Sequence, residues 1–174
     1  MNRDEGTRKQ ASPVELAALL ADAVCVPGIG EKEAVGQLAA ALQLQEEAIS
    51  EELLYLRAFA IDFAVLMSLG DSPEKDQILS RYYEHWERID GEAEGTLAIL
   101  EQRLRDYAAI VGDVEPGHGG LARQLGIALA ARCGVDAGPE AGELMIFGAR
   151  LFAALFDEVS GLLTEVEIVL LEEQ

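Results

Sequence analysis

The chain has 174 residues, half of them hydrophobic, and its 32 Asp and Glu against 13 Lys and Arg give a formal charge of −19 at pH 7. This length suits one domain with a core covering roughly 70% of the unfolded surface, and the hydrophobic content excludes a disordered chain. The carboxylate excess repels nucleic acid and anionic membrane surfaces, which are normally bound through Lys and Arg, so neither is an expected partner.

The start, "MNRDEGTRKQ", is polar and leads into no long apolar core, so no secretory signal is expected. Residues 1–11 read as a flexible N-terminus, and 12–174 as the helical domain. Cys25 and Cys133 lie far apart, outside any CxxC pattern and in apolar helical surroundings. They read as buried free thiols of a reducing cytoplasm, which sets the expected localisation.

The first helix follows from "SPVELAALLADAVCVPG". Ser12 caps it, Pro13 fits the first helical position, Glu15 completes a capping box, and Pro27 and Gly28 end it. A second helix follows "GIGEKEAVGQLAAALQL", with Leu38, Ala41 and Leu42 on one side. Two close glycines before a helix suit an anion at the N-terminus. No strand precedes them and Lys32 has no second basic companion, so a turn with a flexible cap is expected instead.

The third helix spans about residues 45–69 and stops at Gly70. Its stretch "LLYLRAFAIDFAVLMSL" carries only two charges, Arg57 and Asp62. It is nearly long enough to cross a bilayer, but a charge near its middle costs about 3 kcal/mol, so no membrane span is expected. At about 100° per residue, Leu53, Leu56, Ala60, Phe63, Ala64 and Met67 form one seam, and Asp62 lies opposite with Glu47, Glu51, Tyr55 and Ala58. That second face is apolar beyond Ala58, so the helix is expected to be covered on both sides, by its own domain or by another subunit. A buried carboxylate costs several kcal/mol unless it is partnered. Counting back from the Gly70 turn places Asp62 near positions 78 to 82, with Arg81 or Tyr82 as the expected donor and His85 within reach.

A fourth helix begins at "DSPEKDQ", capped by Asp71 or Ser72, with acidic residues in its first turn. Ile78, Tyr82, Trp86, Ile89, Ala93, Leu97, Leu100, Leu104, Tyr107 and Val111 recur at steps of three and four, a seam that predicts one long helix over 72–111. Gly91 and Gly95 each cost about 1 kcal/mol relative to Ala and place a kink near "DGEAEG". "GDVEPGHGG" is a loop, a short helix runs from about Leu121 to Cys133, and Gly134 ends it. "GVDAGPEAG" connects to a last helix over about 139–172, whose outer face carries Asp157, Glu158, Glu165, Glu167, Glu172 and Glu173.

No stretch alternates with a period of two, so the expected fold is an all-α, single-domain helical bundle of about six helices, three of them long. Helices this long are out of scale with a domain whose radius of gyration is about 16 Å, so either they kink or their ends project and pack on another subunit; with the apolar excess, a homodimer is expected.

Chemistry is sparse. The residues "RYYEHWERID" bring Arg81, Tyr82, His85 and Trp86 onto two turns near Asp62, and these five are the candidate ligand-binding set. The competing expectation makes Tyr82 and Trp86 core positions and leaves Arg81, Glu84, Glu87 and Arg88 as surface pairs. A di-metal carboxylate site needs two Glu-x-x-His pairs on helices. The one such spacing, Glu115 to His118, has Pro116 and Gly117 between its members, so no metal or other cofactor is expected. A less standard carboxylate site would use Asp62, Glu84 and His85. No phosphate loop, dinucleotide fingerprint or nucleophile elbow occurs. The sequence therefore points first to a non-enzymatic, acidic, cytoplasmic bundle that binds a protein partner. The alternative is a small-ligand or metal-binding bundle centred on Asp62, Tyr82 and His85. The amphipathic, acidic last helix is either a solvated face or a docking surface for a helix or a basic protein, depending on whether its apolar stripe is satisfied within the domain.

Overall fold

The computed structural model describes residues 9–90, 95–113, 118–135, 138–139 and 141–170. The order of elements is β1 (Lys9–Ala11), α1 (Pro13–Cys25), α2 (Glu31–Leu42), α3 (Glu46–Leu69), α4 (Pro73–Asp90), α5 (Thr96–Asp113), α6 (His118–Arg132), α7 (Ala141–Glu165) and β2 (Val166–Ile168). The fold is an all-α, single-domain bundle, with seven helices among the described residues rather than six. No helix is long and apolar enough to cross a membrane among those residues.

The local signals act as expected at several ends. Ser12 accepts from the Glu15 N–H at 3.3 Å while Glu15 Oε2 accepts from the Ser12 N–H at 2.8 Å, closing the capping box of α1. Ser72 Oγ accepts from the Lys75 N–H at 3.2 Å and starts α4.

The helix expected over 72–111 is instead two, α4 and α5. Residues 91–94 lie outside the described residues, and Gly95 enters α5 with φ of 95°, a conformation that only glycine adopts cheaply. The apolar seam survives the break because both helices face the same core: Ile78, Tyr82, Trp86 and Leu100 are buried together. The last helix stops at Glu165 rather than running on to about 172. Val166–Ile168, rich in β-branched residues, pairs in parallel with Lys9–Ala11, and the Val169 N–H donates to Ala11 O at 3.0 Å.

At the centre lies α3, covered on two faces. Leu53, Leu56 and Ala60 pack with Leu125 and Leu129 of α6 and Phe152 of α7. Ala58, Ile61 and Val65, on the other face, pack with Leu16, Leu20 and Val24 of α1 and with α4. Met67, grouped with the main seam by its angle, is 59% exposed. The angle places a residue around the axis, whereas coverage also depends on where the neighbouring helices end. Phe59, Phe63, Phe152 and Phe156 continue the α3–α7 contact as a run of rings with centroids 5.7 to 6.3 Å apart.

α6 and α7 approach closely at two glycines. A Cβ at Gly126 would overlap the Met145 carbonyl oxygen and lie 3.2 Å from Ala149 N, and one at Gly148 would lie 2.5 Å from Leu129 Cδ2. Backbone cannot rotate away, so Gly126→Ala is expected to cost about 3 kcal/mol in urea-unfolding free energy. Gly161→Ala on α7, where nothing lies within 4 Å of the new Cβ, is expected to add about 0.5 to 1 kcal/mol in the same measurement.

Candidate functional site

Asp62 finds its partner across the α3–α4 turn. The Tyr83 O–H donates to Asp62 Oδ1 at 2.6 Å, so the donor is Tyr83 rather than Arg81 or Tyr82. The chain count was one residue short, and in a helix one residue is a 100° change of direction. Burial raises the Asp62 carboxyl above its ordinary value of 3.8, and the Tyr83 hydrogen bond opposes that shift in part. Burial, with Asp62 adding to it, pushes the Tyr83 hydroxyl upward.

The other residues of the candidate set do not converge on Asp62. Tyr82 and Trp86 are buried in the core with ring centroids 6.4 Å apart. Arg81 is exposed and pairs with Glu84 at 2.9 Å. His85 is half-buried, with Nδ1 2.8 Å from Arg88 Nη2. Glu115 lies outside the described residues, and so does the side chain of His118. Among the described residues no three His, Cys, Asp or Glu side chains gather as a metal would require.

A second location was not anticipated as a site. Between α1, the α1–α2 connection and α7 runs a groove of about 900 Å³. Leu19, Ala23 and Val26 line one wall, on the flank of the α1 stripe that packs inward. Leu151, Leu155 and Leu162 of α7 line the other. Leu144, Phe152, Val159 and Leu163 are buried in the core, while Leu151, Leu155 and Leu162, four and seven residues apart, are half-buried against the core and border the groove. Val26 and Ile29 are 66% and 110% exposed beside it.

Beneath the groove lies an ion pair. Arg57 of α3 and Glu31 of α2 both line it, both are buried at 5% and 9% exposure, and the guanidinium donates to Glu31 Oε1. Glu31 Oε2 also accepts from the Gly28 N–H at 3.0 Å. The "GIGE" turn before α2 therefore already holds a carboxylate of its own chain, and this ties the α1–α2 connection to α3. Arg57 Nε is buried without a hydrogen-bond partner among the described residues. Around the rim, Asp22, Asp157, Glu158 and Glu165 are exposed, and none makes an ion pair among the described residues. The signals available in the sequence were Arg57 in an apolar helix and the doubled stripe of α7. Cys25, expected to be buried, is exposed at the end of α1, whereas Cys133 is buried.

The raised Asp62 value sets a pH dependence. A carboxyl whose folded value exceeds its unfolded one supplies stability that is full below about 3.8 and is lost as pH rises through the folded value. Asp62→Asn, which still accepts from Tyr83, is therefore expected to raise the melting temperature at pH 7, with the difference closing as pH falls to 4 in circular-dichroism melts. Glu31→Gln removes one half of a buried pair and is expected to cost about 3 kcal/mol in urea unfolding.

The chain matches no protein-family model, no curated protein and no solved structure.

Proposed function

We propose that this protein acts without catalysis, by binding a protein partner in the α1–α7 groove. One observation supports the reading above the others: besides its core residues, α7 turns the half-buried Leu151, Leu155 and Leu162 toward Leu19, Ala23 and Val26 at the α1 side across a groove. A groove lined by apolar side chains with a polar rim is how helical domains take up partner segments. The free thiols Cys25 and Cys133 support a reducing, cytoplasmic setting. The net charge of −19 argues against nucleic acid and anionic membranes as partners. A homodimer is part of the proposal, with the α3 end, where Leu66 and Met67 are 44% and 59% exposed, as the face it covers.

The second reading, a small-ligand or metal-binding bundle at Asp62, Tyr82 and His85, draws on the partly buried Asp62 carboxyl. Against it stands the engagement of that carboxyl by Tyr83 and of His85 by Arg88.

Native mass spectrometry of the purified protein separates these readings. The expected result is twice the chain mass with nothing added. A retained small molecule or metal, lost in Asp62→Asn, would support the second reading, and a monomer would remove the dimer. A photo-crosslinking amino acid in place of Leu19 or Leu162 is expected to yield protein adducts in living cells, while one in place of Gln102 yields none. Absence of adducts at both groove positions would overturn the proposal.

A further inference from the structure

We infer that the segment taken up by the α1–α7 groove is an amphipathic helix with an apolar face and a basic polar face. This rests on the reading of the groove as a protein-binding surface. The chemistry of the rim decides the sign. Asp22 stands on the α1 side, and Asp157, Glu158 and Glu165 on the α7 side, all exposed and outside any ion pair among the described residues. Arg57 is the one cation among the described lining residues, and Glu31 already neutralises it. Four uncompensated carboxylates therefore border an apolar floor. Lys or Arg flanking an apolar stripe meets them favourably, whereas an acidic or uniformly polar segment does not.

Shape selects a helix. Two helices wall the channel, and a third fits between them by the same ridge-and-groove packing that joins helices inside a bundle. Leu151 to Glu165 along α7 spans about 21 Å, room for roughly fourteen residues of helix. Leu19, Val26 and Ile29 are exposed on the opposite side, where such a helix would lay its apolar residues. A second copy of this chain is a poor occupant, because it carries the same charge of −19 to an already acidic rim.

The test uses the full chain and a fluorescein-labelled sixteen-residue peptide of Leu and Lys patterned as an amphipathic helix, followed by anisotropy. A second peptide replaces every Lys with Glu. The Lys peptide is expected to bind, and the Glu peptide to bind at least tenfold more weakly. Asp157→Lys with Glu158→Lys is expected to weaken the Lys peptide about tenfold. Leu19→Ser with Val26→Ser, at positions already exposed to solvent, is expected to do the same with an unchanged far-ultraviolet spectrum. Glu47→Lys with Glu87→Lys makes the same charge change outside the groove and is expected to leave binding within twofold. Equal weakening by that control, or equal affinity for the Glu peptide, would overturn the inference. If the Lys peptide fails while adducts still form at Leu19, the basic helix is wrong and the groove remains a binding surface. If those adducts are also absent, the reading of the groove falls with it.

Discussion

The bundle is organised around one helix that is buried on two faces and yet carries ionisable groups. Each of three polar side chains of α3 is engaged by a different element: Glu52 by Arg103 of α5, Arg57 by Glu31 of α2, and Asp62 by Tyr83 of α4. A charge taken out of water is costly unless it is paired with good geometry, so each pair is a constraint on where its partner helix can sit. Arg103 meets Glu52 through two nitrogens and lies with its guanidinium carbon 5.8 Å from the Tyr55 ring centroid. Apolar contact alone would let these helices slide along α3; the pairs favour one register.

The other organising contact is the crossing of α6 and α7. At Gly126 the α7 backbone, and at Gly148 the Leu129 side chain, lie so close that a methyl group has no room. That approach, with the phenylalanine run between α3 and α7, anchors the first part of α7. Further along, α7 buries Val159 and Leu163 in the second core cluster but leaves Leu151, Leu155 and Leu162 bordering the groove with α1. The same helix thus serves as a wall of the core and as a wall of an open channel. Glu31 and Glu52 are buried with their arginine partners, while Asp22, Asp157, Glu158 and Glu165 stand outside any ion pair at the rim among the described residues.

Much of the fold follows from local chemistry. The capping box at Ser12 and Glu15, the Ser72 cap, the Gly70 stop and the doubled apolar face of α3 were all legible, because each depends on residues within one or two turns of one another. The candidate site was less so. The partnering of Asp62 was foreseen, but its donor was not, since a one-residue error in an inter-helix count turns the choice from Tyr82 to Tyr83. The pairing of β1 with β2 joins segments about 157 positions apart that are each three residues long, too short to show any period.

By itself, then, the sequence determined that the chain is helical, where most helices start, and that α3 is covered on two sides, because periodicity and caps are energies between near neighbours. The tertiary structure alone decided that the long apolar seam is divided between two helices, α4 and α5, with Gly95 leading into the second, and that Arg57 closes on Glu31. It also decided that the outer stripe of α7 is left facing α1. Those outcomes depend on which distant surface arrives to cover an apolar stripe or a charge, and no local pattern encodes that arrival.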